Sequence, residues 1–528
     1  MSNALSKAAD TSPETSGSRG ASVVFAGILI SRALGLVRTT LFARYFGASA
    51  EADAFNAAFK IPNAVRNLLG EGTLSASFVP VYSRMLGRAD ERGARALAAA
   101  VLGFLLAGVS VLTLIGIASA PLLTSVFAPG FDSARAELTT RLTRVLFPMT
   151  GLMVLSGWCL GVQNSHRRFF WSYASAALWS VAQIALLLWS GKQAESMAQL
   201  AWWLAWATLI GSVLQVSAQL PEVFRLVGAL RPTLDRTADG VMQTLRNIGP
   251  VVIALGVVQI SSLIDLQIAS YLPSGSASNM SYANLIALLP VSLFGVSVAA
   301  SSLPEFSRDS GGAREDALLE RLRGGWQRIL FYIVPCAAVF MAYGDLCVGL
   351  LLRNGRFGAS EQHAVHLVLA GFSVGLVSFA SVKLLASAHY ALQDYKTPLR
   401  ASISSLVVSA LASIGLAYPL RHSVWGAAAI ALGSALGSFV NLSVLVRGLQ
   451  ARLGPLYTTA MWAGSRRIGV AAVVAAACAM PVRWLLRDVH PMIGGPPTLA
   501  TFGISYLLSA WAMGSREAAR VLRLTPRA

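Results

Sequence analysis

Residues 23–46 read VVFAGILISRALGLVRTTLFARYF. At ~1.5 Å rise per residue, a helix of this length crosses the ~30 Å hydrocarbon core of a bilayer. Yet Arg32 and Arg38 lie inside it. A cation at mid-bilayer costs about 2.5–3.5 kcal/mol on insertion scales, so it rarely faces lipid and usually points into a bundle or a wet cavity. The next apolar segment, 52–85, repeats the pattern with Lys60 and Arg66. Four positive charges in two adjacent spans point to a cavity built for an anion.

The rest of the chain has the same character. It has 528 residues, 55% of them hydrophobic, with mean hydropathy +0.61. Only 12% are charged, about half of the ~25% usual in soluble domains. Apolar runs of about 20 residues recur throughout, so the fold class is an all-α polytopic membrane protein. Short alternating strands are absent from the pattern, which excludes an outer-membrane barrel. Fourteen spans are expected, at 23–46, 52–85, 95–126, 138–164, 171–190, 197–220, 241–271, 278–307, 324–352, 362–391, 398–418, 424–448, 465–486 and 497–515. The second and eighth contain Pro62 and Pro290 and are expected to bend there. Residues 1–20 are rich in small polar residues, lack the pattern of a cleavable signal, and read as a disordered cytoplasmic tail. Cys159, Cys336, Cys347 and Cys478 form no C-x-x-C pair and read as small core residues.

The cations predict orientation. With a cytoplasmic N-terminus, 27 of the 42 Lys and Arg fall in inner loops and tails, and 10 in outer loops. By the positive-inside rule both termini are then cytoplasmic. The remaining cations are Arg32, Arg38, Lys60, Arg66 and Lys383, all within spans. The net charge of +18 is thus a matter of topology and lipid headgroups. It is spread over short loops, so no nucleic-acid partner is expected. No P-loop is present, which excludes an ATPase in this chain alone, and no catalytic set stands out.

A duplication is legible. Val79-Pro80-Val81-Tyr82-Ser83-Arg84 and Leu303-Pro304-Glu305-Phe306-Ser307-Arg308 share one pattern. Pro129-Gly130-Phe131 matches Asn354-Gly355-Arg356-Phe357, and His166-Arg167-Arg168 matches Asp394-Tyr395-Lys396, at nearly the same offset. Six spans separate the copies, so both face the same way, as a parallel repeat. The expected domains are the tail 1–20, an N-terminal six-helix lobe 21–220, a C-terminal six-helix lobe 221–450, and two further helices with a tail at 451–528.

Away from the span ends marked by Arg44 and Arg84, the charged residues of the first two spans are Arg32, Arg38, Asp53, Lys60, Arg66 and Glu71. Together they form the candidate substrate-binding set. Asp53 and Lys60 are seven apart and share a helix face. Arg32 and Arg38 diverge on a straight helix, and Gly35 between them permits a bend. Guanidinium groups suit a diphosphate because their donors are planar and bidentate and their charge persists on burial. Other readings stand beside this one. Arg32 can snorkel to the headgroups, Arg66 can serve as a structural partner of Glu71, and Asp53 can mark the outer boundary. Asp265, in span seven, is either hydrogen-bonded in a helix contact or part of a cation-coupling site.

The stretch Ser31-Arg32-Ala33-Leu34-Gly35-Leu36-Val37-Arg38, with Ala43-Arg44-Tyr45-Phe46-Gly47, resembles the first span of the MurJ (MviN) family. The likeness continues through Ala52-Asp53-Ala54-Phe55, Ala58-Phe59-Lys60-Ile61-Pro62-Asn63, Arg66, Glu71-Gly72 and Phe78-Val79-Pro80. Phe127-Ala128-Pro129-Gly130-Phe131 and Gln393-Asp394-Tyr395-Lys396-Thr397-Pro398 also match. That family lies in the MOP transporter superfamily and flips lipid II, the diphosphate-linked peptidoglycan precursor. The resemblance implies MOP-like lobes, a headgroup cavity between them, alternating access, and a prenyl tail held along spans thirteen and fourteen. It also implies a role in cell-wall biosynthesis at the bacterial inner membrane, with lipid II and membrane lipids as partners and a monomeric state. A sodium site implied by resemblance would use Asp265 with Ser409 and Ser413 of span eleven. Sodium, protons and the membrane potential stand as alternative energy sources, and no other cofactor is implied. The chain departs from the family at Thr39, where an acid is usual, at Asn67, where a base is usual, and at Asn284-Leu285, where an Asp-Arg pair is usual. The last difference favours, as the alternative substrate, another polyprenyl-diphosphate-linked saccharide. A cation-coupled multidrug exporter would instead need acids to dominate the cavity.

Overall fold

The computed structural model describes residues 13–191, 193–295, 298 and 315–523. Among the described residues all regular structure is helical. The helices are α1 (Pro13–Phe46), α2 (Ala50–Leu69), α3 (Glu71–Ser77), α4 (Val79–Gly87), α5 (Glu91–Ala118), α6 (Ala120–Phe127), α7 (Ser133–Ser165), α8 (Phe170–Ser190) and α9 (Met197–Val227). Then follow α10 (Val241–Ser270), α11 (Ser276–Pro290) with a π-helical turn (Val291–Gly295), α12 (Glu315–Leu352), α13 (Ala359–Ala391) and α14 (Lys396–Ala417). The last are α15 (Trp425–Leu453), α16 (Thr459–Leu485), α17 (Pro491–Ala512) and α18 (Arg516–Leu522). Eleven described helices are long and apolar enough to cross a membrane. Helices α1, α2 and α17 are not among them; α2 carries Glu51, Asp53, Lys60 and Arg66 within its 20 residues.

Local chemistry sets many of the ends. Asp90, Asp132, Ser196 and Thr458 cap α5, α7, α9 and α16 by accepting from Gly93, Arg135, Gln199 and Met461 backbone N–H groups. Several expectations need correction. Helix α1 already includes residues 13–20, placed in the tail by sequence, and it runs through Gly35 without a break; residues 1–12 lie outside the described residues. The expected second span is three helices, broken at Gly70 and Phe78, while Pro62 stays inside α2. At Gly70 (φ −84°, ψ −141°) the chain leaves helical geometry. Pro80, in the first turn of α4, lies where a missing N–H costs nothing. Pro290 does disturb its helix, which passes into the π turn immediately after it. Cys478 is exposed and is not a core residue.

Contacts divide the chain into two units. Unit one takes residues up to Tyr45, Ala54–Phe127 and Asp132–Ile260; unit two takes Phe46–Asp53, Ala128–Phe131 and the chain from Ser261 onward. Unit one thus continues past residue 220, and helices α16 and α17 join unit two. They pack on α12, where Tyr506 Oη donates to the Phe331 carbonyl (2.6 Å), Tyr343 Oη to the Ala476 carbonyl (2.5 Å), and Arg483 pairs with Asp345.

Small residues let the helices of unit two approach closely, as expected where lipid leaves packing as the main attraction. A Cβ on Gly437 of α15 would come within 2.6 Å of the Ser405 carbonyl of α14, and one on Gly433 would overlap Ser413. Across α15, a Cβ on Gly371 of α13 would lie 2.8 Å from the Ala428 carbonyl.

The duplication appears in the helix bounds. Helices α7 and α13 have 33 residues each, and 359 minus 133 gives an offset of 226. The same offset relates the starts of α8 and α14 (Phe170, Lys396), the ends of α9 and α15 (Val227, Leu453), and the starts of α2 and α11 (Ala50, Ser276). Gly228 and Gly454 follow at φ +74° and +86°, and Arg167 and Gln393 both turn left-handed at φ +58° and +56°. The match of His166–Arg168 to Asp394–Lys396 therefore shifts by two residues. The stretch 303–308 lies outside the described residues.

One hydrogen bond repeats at this offset. Gln163 Nε2 donates to the Gln219 carbonyl (3.2 Å), and His389 Nε2 lies 3.0 Å from the Leu445 carbonyl, each pair 56 residues apart. His389 Nδ1 lies 3.0 Å from Asp394 Oδ2. Burial opposes ionisation of Asp394, but hydrogen bonds from Thr397 and pairing with His389 outweigh it and hold the carboxyl at about 2. Because glutamine does this work in the first copy, His389→Gln with Asp394→Asn should preserve the fold. His389→Leu should cost about 0.5–1.5 kcal/mol, because the Leu445 carbonyl keeps its bond within α15 and only the added side-chain bond is lost. Thermal midpoints of the purified variants check this, and equal midpoints contradict it.

Candidate anion site

The four cations all lie in unit one, Arg32 and Arg38 on α1 and Lys60 and Arg66 on α2. Arg32 is exposed, whereas Arg38, Lys60 and Arg66 are half-buried. On an unbroken helix, residues six apart point about 120° apart, so Arg32 and Arg38 diverge. Arg38 and Arg66 lie close enough to repel each other, and Arg66 is also within electrostatic reach of Glu71.

Arg38 is the unusual member. Its guanidinium carbon lies 4.7 Å from the centroid of the Trp179 ring on α8. Among the described residues its donors have no hydrogen bond and no carboxylate. A guanidinium has five N–H donors around its edge and two flat faces. The ring attracts the charge but offers no oxygen to accept an N–H bond, so the donors are left without an acceptor among the described residues. Arg66 is only lightly held, with Nη2 3.4 Å from Asn67 Oδ1. Asn67 in turn donates to Gln259 Oε1 on α10 (3.1 Å). Thr39, beside Arg38, spends its hydroxyl on the Gly35 carbonyl (3.0 Å) and adds no charge.

Glu71 is exposed at the first turn of α3, just after the break at Gly70. Gly157 of α7 makes room for this turn: a Cβ there would come within 3.0 Å of the Glu71 backbone nitrogen. Lys60 has partners of its own.

Asp53 does not belong with this group. It is 1% exposed and lies in unit two. Its carboxylate accepts from Gly275 N (2.6 Å), Ser278 N (2.8 Å) and Ser278 Oγ (2.7 Å). It therefore caps the N-terminus of α11, where the helix dipole favours an anion. Gly275 is left-handed at φ +91°, and a Cβ there would strike the Ala48 carbonyl. Tyr282 Oη closes the same joint on the Gly47 carbonyl (2.7 Å). A carboxylate so fully engaged is a structural cap, which corrects its place in the candidate set.

The expected sodium set is also altered. Ser409 and Ser413 are buried at the α14–α15 crossing, with Ser413 Oγ donating to the Ile430 carbonyl (3.3 Å). They face the glycines of α15 as packing groups. Asp265 is half-buried on α10 and has a partner. Among the described residues no group of three His, Cys, Asp or Glu could hold a metal ion.

The family model "Lipid II flippase MurJ" matches residues 42–492. This chain belongs to the MurJ family. The Lipid II flippase MurJ of Burkholderia cenocepacia is 30% identical over 505 residues, covering 93% of this chain and 96% of the relative. Among solved structures, "Lipid II flippase MurJ, inward closed conformation" superposes with TM-score 0.76 at 20% identity, covering 95% of this chain and 99% of that one. An inward-facing multidrug resistance MATE transporter of the MOP superfamily gives TM-score 0.65 at 16% identity, covering 82% and 98%. The fold is thus that of MurJ and of MOP transporters. The charge pattern of the apolar runs singled out Arg38 and Arg66 as candidates. It missed Trp179, Gln259 and Gly157, which carry no local motif and matter only through contacts with distant helices.

Proposed function

We propose that this protein flips lipid II from the cytoplasmic to the outer leaflet by alternating access, serving cell-wall synthesis. The observation that carries this reading is Arg38, whose guanidinium lies over the Trp179 ring with no hydrogen-bond acceptor or carboxylate among the described residues, within electrostatic reach of a second cation, Arg66. Two guanidinium groups within electrostatic reach of each other, with no carboxylate on Arg38 among the described residues, suit a ligand with two adjacent negative groups, and a diphosphate is such a ligand. Arg32, Lys60 and Glu71 complete the proposed lining. A negative cell interior favours outward movement of an anion by about 2.3 kcal/mol per charge per 100 mV, so the potential alone supplies a driving force.

In this reading the chain is a monomer with fourteen spans in the bacterial cytoplasmic membrane, with α1, α2 and α17 crossing beside the eleven apolar helices. Both termini are cytoplasmic in this reading, the orientation that the loop cations favour. Another polyprenyl-diphosphate-linked saccharide is the second reading, favoured by Asn284, which is exposed on α11 at a position where the family usually carries charge. Purified protein in vesicles tests the choice, with headgroup accessibility of labelled lipid II compared with that of an undecaprenyl-diphosphate sugar lacking the peptide. Faster translocation of lipid II supports the first reading, and translocation of the second lipid alone supports the other.

A further inference from the structure

The Trp179 side chain is more than filling between helices. Its ring face lies under the Arg38 guanidinium, while its indole Nε1 is buried with no hydrogen-bond partner among the described residues. Burying an indole N–H without an acceptor costs about 1–3 kcal/mol, so hydrogen bonding does not account for a tryptophan here. Its face does. The quadrupole of the ring attracts a cation above it, most strongly for tryptophan, and this attraction opposes the repulsion between Arg38 and Arg66.

The ring is itself braced. Phe59 of α2 packs against it at 5.9 Å between centroids, Phe59 stacks on Phe55 at 6.5 Å, and Phe55 meets Phe42 of α1 at 5.5 Å. From the other side α9 presses on the α8 backbone, where a Cβ on Gly211 would lie 3.0 Å from Trp179 Cα. The aromatic column therefore links both cation-bearing helices to α8 and ends on the guanidinium.

We propose that Trp179 is a positioning residue for anion recognition: it fixes the plane of Arg38 so that the donor edge is presented to a lipid-linked diphosphate. This rests on the reading of Arg38 as a diphosphate ligand. A flat partner should therefore substitute for tryptophan, and an aliphatic one of similar bulk should not.

The test uses the full-length protein purified in detergent, with undecaprenyl diphosphate as the probe. Binding is measured for wild type, Trp179→Phe, Trp179→Tyr, Trp179→Leu and Arg38→Ala, alongside thermal midpoints. Trp179→Phe and Trp179→Tyr should bind within a few-fold of wild type. Trp179→Leu should bind about 2- to 30-fold more weakly, the range a cation–π contact spans, at a midpoint matching Trp179→Phe. Trp179→Leu added to Arg38→Ala should cause no further loss, because the two act as one unit. Equal binding by the Leu and Phe variants overturns the proposal while leaving the Arg38 reading intact, provided Arg38→Ala has lost binding. Binding losses that merely follow the thermal midpoints also overturn it. Wild-type binding by Arg38→Ala overturns the underlying reading and the proposal with it.

Discussion

Replacing Arg38 by alanine should lower lipid II translocation by about 10- to 150-fold at unchanged membrane levels, the range expected when a charge-assisted hydrogen bond worth about 1.5–3 kcal/mol is lost. Arg66→Ala should fall in the same range. The reason lies in what each residue already holds. Arg38 lies over the Trp179 ring with no acceptor among the described residues, and Arg66 has one long side-chain contact to Asn67. Neither side chain is needed to neutralise a buried carboxylate as Asp53 neutralises a helix end, so their removal should leave the fold intact. Arg38→Lys separates charge from shape. It keeps the cation but loses the planar fork, and should fall between wild type and Arg38→Ala. Translocation by vesicles containing each variant measures this, and an Arg38→Ala protein as active as wild type would remove the site.

The opposite pattern is expected at Asp53. Asp53→Ala leaves Gly275 N, Ser278 N and Ser278 Oγ without their acceptor in a buried joint. Each such group costs about 1–3 kcal/mol, so about 3 kcal/mol or more of stability should be lost. Asp53→Asn is the informative companion. Its oxygen can still accept at one position, but its amide N–H groups oppose a backbone donor at the other, so an intermediate loss is expected. Thermal midpoints of the purified variants should rank wild type, Asn, Ala. An Asp53→Ala protein that melts like wild type but fails to bind a diphosphate lipid would return this residue to the binding set.

The contrast between Asp53 and Arg38 shows what the sequence could carry. Charges inside apolar runs were conspicuous, and helix positions followed from run length, so the expected spans and the observed helices agree to within several residues at most ends. The sequence could not tell which charges are satisfied at home. Asp53 and Arg66 look alike in one dimension, each a charge in an apolar segment. Only the chain fold brings Gly275 and Ser278, more than two hundred positions away, onto the Asp53 carboxylate. The break at Gly70 was likewise hidden, because proline at Pro62 is the louder signal and Gly157 on α7 makes the turn possible. In sequence Ser409 and Ser413 are polar residues in an apolar run, and only the fold sets them against the glycines of α15 in a helix crossing. The duplication was legible in short motifs, but its true offset emerged only from the matched helix ends and the pair of left-handed residues, Arg167 and Gln393.

The central claim is that the α1–α2 cations move a lipid-linked diphosphate across the membrane. Its most direct test is rescue of a bacterial strain depleted of its own lipid II flippase, using wild type, Arg38→Ala and Arg66→Ala at matched membrane levels. Growth with wild type and failure with both variants is the predicted result. Growth with all three would contradict the account, because the cations would then be dispensable to transport.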